Sequence, residues 1–445
     1  MAPTLGQYLW TKYASRVDTS LITGWLPALL TVVGIAALVG LIALPWNRNS
    51  WLRGLAVVGG TAIVVVSLDL FIIRVWRPFP DPIPIAVMAW VWLGLSGLAL
   101  GVAHLAVAPK RVLALFAGLV AFVGIGVVQV NRHYGQFPTT GAALGVTRPT
   151  LTDLSTLDKT GDLLAAPPDG YLSEVWRADP VPEKGKIGKV DLPSTVSGFR
   201  ARPAYVYLPP AYLVTDPRPL LPVLVLLAGQ PGSTDAWLIS GRLAERMDAY
   251  AARHRGLAPI VVLADQLGGT WANPLCIDSR RGNVETYLGV DVPEWVGGQL
   301  QAARRKEMWA IGGLSNGGTC ALQMAVRKPE VYGRFLDIAG EGEPLDGNRK
   351  ETIERYFGGD TAAYAAIDPM EIMARKRFEA TAGRIAVGAG DPDRDKLWRT
   401  FQACQRAGMD MTWQELPGAH TWQVWAPALE QSLEWLAAKT NLVKS

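Results

Sequence analysis

Hydrophobic positions are spread unevenly along this chain. Up to about residue 130 they run in long, nearly unbroken stretches. Beyond residue 185 they come as short apolar runs alternating with amphipathic segments. Four early stretches, 21–44, 52–73, 83–107 and 111–130, each reach the roughly 20 helical residues that a bilayer core requires. Backbone groups in hydrocarbon must bond within their own segment, so these stretches are expected as membrane-spanning helices. A signal peptide does not explain the first, because no small-residue cleavage site follows it and three more spans come after. The interruptions are short and carry Pro, Trp and Arg (Pro45-Trp46-Asn47-Arg48, Arg74-Val75-Trp76-Arg77-Pro78, Pro109-Lys110-Arg111), as turns at a membrane surface do.

Four spans leave both ends on one side. Arg48, Arg53, Lys110 and Arg111 fall opposite the tail, and Lys12, Arg16, Arg74, Arg77 and Arg132 fall with it, so charge alone leaves the orientation open. Asp69 and His104 lie near span ends, where solvation, or pairing of Asp69 with Arg74, is expected. Other polar residues are sparse in the spans, which favours anchoring over transport.

Between 131 and 184 periodicity fades. Pro, Thr, Gly and Asp take over, with a turn cluster at Ala166-Pro167-Pro168-Asp169-Gly170, and a linker or irregular lead-in is expected. From 185 to 445, strands are expected at 186–192, 204–208, 223–227, 260–264, 308–311, 335–339, 385–389 and 412–416. Helices are expected at 235–253, 293–303, 319–327, 395–407 and 422–438. Short apolar strands alternating with amphipathic helices give an α/β fold, a mostly parallel sheet covered by helices on both faces. It follows an all-α transmembrane domain of four helices (1–130). Chemistry in such a sheet collects at the carboxyl ends of the strands.

Composition narrows the chemistry. A net charge of +4 over 445 residues, with no basic stripe, excludes a nucleic-acid partner. Cys276, Cys320 and Cys404 have no metal-type spacing, and no H-x-x-x-H or C-x-x-C occurs, so neither a metal site nor a cofactor is expected. Three buried thiols is the reading favoured for the cysteines; outside the cell, a Cys276–Cys404 disulfide is the alternative.

The informative motif is Gly313-Leu314-Ser315-Asn316-Gly317, a G-x-S-x-G between the apolar run 308–312 and the helix-like stretch 319–327. A strand turning sharply into a helix pushes the central serine out to meet a substrate, and flanking glycines permit the close backbone approach. A serine hydroxyl needs a base. Of the four histidines, His104 and His133 belong to the membrane third and His254 ends a helix. His420 remains, in the loop Pro417-Gly418-Ala419-His420 after the last strand. A carboxylate must orient that base. Asp391 follows a strand end, with Asp393 and Asp395 as neighbouring competitors, and is preferred as the best held. The oxyanion hole needs two backbone N–H groups. Asn316 follows the nucleophile, and Gln230 lies in the loop Ala228-Gly229-Gln230-Pro231-Gly232 after the third strand. Trp271 and Asn273, with Asp278 and Arg280 in the same long loop, are weaker candidates for substrate binding. Trp422 and Trp425 read as packing for the last helix, and Glu341 and Glu343 as solvated charge.

The order Ser315, Asp391, His420 is that of α/β-hydrolases. The stretch from about Tyr205 to His420 resembles the esterase D and antigen 85 (mycolyltransferase) branch. The matching pieces are strand and loop 223–232, strand 259–265 with its Gly-Gly-Thr-Trp loop, the elbow 311–318, and the His420 loop. The resemblance implies a serine ester hydrolase or acyltransferase, commonly working outside the cytoplasm, and supports Gln230 and Asn316 as the oxyanion donors. Antigen 85 enzymes have a glutamate where this chain has Asp391, which weighs against mycolyl transfer.

The expected activity is hydrolysis of carboxylic esters by a multi-pass protein of the cell membrane, its hydrolase domain outside the cytoplasm. The expected partners are the lipid bilayer and an amphiphilic ester, such as a lipid or envelope glycolipid. The alternatives are an acyltransferase and a non-catalytic membrane scaffold. Oligomeric state is not legible in the sequence.

Overall fold

The computed structural model describes residues 18–44, 50–76, 82–145 and 150–444. Two compact units divide the chain, Met1–Arg148 and Pro149–Ser445. The turn residues 45–48 and 77–78, and the charges Lys12 and Arg16, lie outside the described residues.

The first unit has four helices long and apolar enough to cross a membrane: α1 (Trp25–Ala43), α2 (Trp51–Trp76), α3 (Ile85–Val107) and α4 (Val112–Tyr134). Their large apolar side chains point mostly outward, as a hydrocarbon solvent requires (Trp25, Ile63, Leu113 and Phe116 are exposed). With no hydrophobic drive between helices in lipid, association depends on close backbone approach and polar ties. Both are present. A Cβ on Gly118 of α4 would lie 2.7 Å from the Gly97 carbonyl oxygen of α3. Hydroxyls of Thr61 and Ser96 meet at 2.7 Å, and the Trp92 indole N–H donates to Val58 O at 3.0 Å.

His104 is buried, its Nε2 3.0 Å from Leu41 O and its Nδ1 3.1 Å from Arg111 Nη1. A guanidinium can only donate, so Nδ1 accepts and Nε2–H donates. His104 therefore ties three helix ends together as a neutral ring, where solvation had been expected. The expected Asp69–Arg74 pair does not form; Asp69 Oδ1 has no hydrogen-bond partner among the described residues.

The second unit is built on an eight-stranded sheet. Its strands are β1 (Lys186–Val190), β2 (Ala204–Leu208), β3 (Val223–Leu227), β4 (Ile260–Leu263), β5 (Trp309–Leu314), β6 (Arg334–Ile338), β7 (Ala382–Gly388) and β8 (Asp410–Leu416). Their order is β8-β7-β6-β5-β3-β4-β2-β1, and β2 runs antiparallel to both neighbours while the other pairings are parallel. Every residue of β3, β4 and β5 is buried, as expected of strands covered on both faces.

The flanking helices include α5 (Leu243–Arg253), α6 (Val292–Gln299), α7 (Asn316–Arg327), three short ones between β6 and β7, α8 (Arg349–Phe357), α9 (Thr361–Ala365) and α10 (Pro369–Met373), then α11 (Arg394–Arg406) and α12 (Trp422–Lys439). The helix expected over 235–253 is broken: Ala236–Ile239 is followed by Gly241 and by Arg242 at φ 47° before α5 begins. The stretch expected as a lead-in is, from residue 150 onward, part of this unit. Leu172 and Trp176 are fully buried in its core, and the Trp176 indole donates to Arg255 O at 2.9 Å.

Candidate active site

Three loops at the carboxyl edge of the sheet bring the candidate residues together. Ser315 occupies the turn between β5 and α7 at φ 51°, ψ −124°, a conformation costly for a residue with a side chain. The surroundings hold it there. Its N–H donates to Ile338 O at 2.9 Å, and its carbonyl accepts from the N–H groups of Gly318 (2.8 Å) and Thr319 (3.1 Å). Gly317 lies against the end of β3, where a Cβ would come within 2.5 Å of Ala228 O.

His420 Nε2 is 3.0 Å from Ser315 Oγ, and its Nδ1 is 2.8 Å from Asp391 Oδ2. Asp391 is the carboxylate at that position; Asp393 pairs instead with Lys396, and Asp395 with Arg394. The Asp391 side chain is fully buried, and its other oxygen accepts the Asp393 N–H at 3.0 Å. Asp391 and His420 belong to neighbouring strand ends that are stitched together. Ala389 N–H donates to Leu416 O and Gly390 N–H to Gly418 O, at 2.8 and 2.7 Å. In this arrangement His420 holds Nδ1–H on the carboxylate and Nε2 accepts from the serine.

The loop after β3 passes directly beside the serine; a Cβ on Gly229 would stand 3.2 Å from Ser315 Cβ. Neither the Gln230 nor the Asn316 backbone N–H has a hydrogen-bond partner among the described residues. Unused donors on the segments flanking a serine hydroxyl can stabilise developing negative charge. The loop is anchored from behind. Asp265, fully buried, takes Arg202 Nη2 at 2.7 Å and Nε at 3.0 Å, and Arg202 Nη1 reaches Gly232 O at 2.8 Å.

The two weaker candidates differ. Trp271 is half exposed, and its carbonyl is held by the Gln230 side-chain amide at 3.1 Å. Asn273 is used within the protein. Its Nδ2 donates to Leu345 O at 2.8 Å, and its Oδ1 accepts from Leu275 N–H at 3.1 Å and faces Asn316 Nδ2 at 3.4 Å. Glu343 is not simply solvated; it pairs with Arg349 and accepts from the Tyr364 hydroxyl. Among the described residues, no group of His, Cys, Asp and Glu is arranged to hold a metal ion.

The model of the Esterase family, described as “Putative esterase”, matches residues 199–436. A protein of Corynebacterium glutamicum, named only as uncharacterized, is 33% identical over 438 residues, 97% of this chain and 99% of its own length. The chain belongs to the esterase family. The likeness to the Corynebacterium protein runs through the apolar first third as well. Among solved structures, a ferulic acid esterase has a TM-score of 0.50 at 19% identity, over 57% of this chain and 98% of that one. An S-formylglutathione hydrolase from Agrobacterium tumefaciens gives 0.49 at 19%, over 58% and 97%. The first of these likenesses is one of fold, and with the strand order it gives the second unit of this esterase-family chain an α/β-hydrolase-like fold.

Several features of the site were not anticipated. Cys276 and Cys320 are joined in a disulfide, so neither three free thiols nor a Cys276–Cys404 pair is correct; Cys404 is free and buried. The bond links the loop after β4 to α7, five residues beyond Ser315. Sequence spacing does not announce it, because the two cysteines meet only once that loop folds back over the helix. Trp425 does more than pack the last helix. Its ring stands edge-to-face with His420 at 5.0 Å and backs the imidazole.

Proposed function

We propose that this esterase-family protein is a membrane-anchored serine hydrolase that cleaves carboxylic esters through an acyl-serine intermediate. The observation that carries the reading is the continuous chain from Ser315 Oγ through His420 to Asp391, at 3.0 and 2.8 Å. His420 Nε2 takes the hydroxyl proton as Ser315 Oγ attacks the ester carbonyl, and Asp391 stabilises the imidazolium that forms. The N–H groups of Gln230 and Asn316 hold the oxyanion. As the tetrahedral intermediate collapses, His420 returns its proton to the departing alkoxide and the C–O bond breaks. Water, deprotonated by His420, then attacks the acyl-serine, releases the acid and restores Ser315.

The substrate class follows from the anchor. A hydrolase tethered to a bilayer meets amphiphilic esters at high local concentration, so a lipid or envelope glycolipid ester is the expected substrate. The half-exposed Trp271 beside Gln230 offers such a chain an apolar platform. The Cys276–Cys320 bond supports a hydrolase unit on the outer side of the membrane, since disulfides persist in oxidising compartments.

The test is a panel of esters of increasing acyl length, assayed with the purified full chain and with Ser315→Ala, and products identified with and without glycerol or trehalose. Free acid as the main product, lost in Ser315→Ala, supports hydrolysis. Acyl-glycerol or acyl-trehalose points to transfer, and no turnover of any ester by the native chain points to a scaffold.

A further inference from the structure

One buried acid has no part in the steps above. Strand β6 carries Phe335-Leu336-Asp337-Ile338, a single carboxyl in an otherwise apolar run. The Asp337 side chain is fully buried. Its Oδ1 accepts the Gly340 N–H at 2.8 Å, and its Oδ2 has no hydrogen-bond partner among the described residues. The carboxyl lies against the first turn of α7, where a Cβ on Gly318 would collide with Oδ1. The four residues 338–341 that follow are joined to the nucleophile turn at both ends. Ile338 O receives the Ser315 N–H at 2.9 Å, and the Glu341 N–H donates to Thr319 Oγ1 at 2.8 Å. Between them, Ala339 sits at φ 53°, a strained position that something must enforce. The Asp337–Gly340 bond closes that turn.

No cation faces Asp337 among the described residues. Alongside it in the sheet are Gly313 of β5 and Ile385 of β7, and α7 presents Gly318 and Thr319. The ionisable groups that act on it are Asp391, at the end of β7, and the Cys404 thiol on α11. An isolated carboxylate in such a place is costly, and a buried acid escapes the cost by keeping its proton. Burial, reinforced by the Asp391 charge and opposed by the Gly340 N–H, moves its acidity from the usual 3.8 up to about 7.

We propose that Asp337 is a positioning residue for the nucleophile turn, and that it closes the 338–341 turn as an un-ionised carboxylic acid whose loss of a proton to solvent loosens that turn. The inference rests on Ser315 being the nucleophile. The charge left behind has the Gly340 N–H but no cation beside it among the described residues, so the turn must shift or admit water, and the Ile338–Ser315 bond is the first to feel it.

The experiment compares the full native chain with Asp337→Asn and Asp337→Leu, reading kcat, KM and melting temperature from pH 5 to 9. Asparagine keeps an acceptor for Gly340 and never ionises; leucine offers none. Asp337→Asn is expected to keep neutral-pH kcat within about threefold and to lack part of the wild-type alkaline fall, while Asp337→Leu loses about tenfold or more in kcat with KM little changed. Wild type should melt lower at pH 8.5 than at pH 6, by several degrees more than Asp337→Asn does. Superimposable pH profiles of wild type and Asp337→Asn, or an asparagine variant as impaired as the leucine one, overturn the proposal. Should the leucine variant not fold, the asparagine comparison decides by itself. The melting comparison needs no turnover, so it separates failure of this inference from failure of the esterase reading.

Discussion

Replacing Gly317 by alanine puts one methyl group where the nucleophile turn meets the end of β3. That carbon would stand 2.5 Å from Ala228 O and 2.8 Å from Leu227 O, whereas ordinary contacts of this kind lie at 3.4–4 Å. Both oxygens belong to backbone at the end of a fully buried central strand, so no side chain can swing aside. The turn and the loop must therefore separate by roughly 0.5–1 Å, an overpacking strain of about 1–3 kcal/mol. In a unit of this size that lowers the melting temperature by about 2–4 °C per kcal/mol. The catalytic effect is larger, because the displaced parts are those carrying the Asn316 and Gln230 N–H groups. A misplacement near 1 Å at a reacting centre costs about 100-fold. Steady-state hydrolysis of a soluble chromogenic ester, with a thermal melt on the same preparation, reads both quantities. A Gly317→Ala protein with wild-type kcat/KM and an unchanged melt would refute the reasoning, since the two carbonyls would then not be where they are needed.

Other expectations follow from the same geometry. Asp391→Asn should leave the fold intact and lower kcat by about 1,000- to 10,000-fold, because an amide in that place favours the wrong imidazole tautomer; a rate series against pH checks it. Stability should fall as pH rises from about 4 through about 7. Asp337 holds its proton in the fold up to about 7 but releases it near 3.8 once unfolded, a contribution of at most about 4 kcal/mol that denaturant titration at pH 5 and 8.5 would reveal and Asp337→Asn would abolish. Reducing the Cys276–Cys320 bond, which spans 44 residues, should cost up to about 4 kcal/mol, seen as a lower melting temperature in dithiothreitol that Cys404→Ser does not alter. Trp271→Ala should raise KM for long-chain esters about tenfold and leave short-chain kcat unchanged, as loss of an apolar platform would.

Much of this architecture is legible in the amino-acid pattern, and for a physical reason. The strands of a doubly covered sheet are short, apolar and bounded by Gly, Pro or charge. All eight expected strands are present in one sheet, with ends differing by a few residues. The long apolar runs of the first third carry an even stronger signal, since lipid imposes both their length and their composition. The sharp strand-to-helix turn could be read because sterics demand glycine at fixed positions around Ser315. Elimination among four histidines then left His420.

What escaped the sequence lies in contacts between distant segments. Nothing near Cys276 announces Cys320 as its neighbour, because the loop's path over α7 is a tertiary outcome. The segment between β6 and β7 was assigned no helices, yet α8, α9 and α10 form there. These are short helices capped by Asn348, Asp360 and Asp368, and the charged surface around them carries little periodicity. Asn273 resembled a substrate ligand because a polar side chain in a loop near the site usually faces solvent. Its partners, Leu345 and Asn316, become visible only when the fold is closed. Asp337 was the one legible clue left unused, a carboxyl placed inside an apolar strand.

The most direct measurement is stoichiometric labelling of the purified full chain with a fluorophosphonate, followed by mapping of the modified peptide. One label per chain, on Ser315, slowed strongly in His420→Ala and absent in Ser315→Ala, is the expected result. A native, folded protein that takes no label, or takes it on another serine, would contradict the assignment of this hydroxyl as the nucleophile.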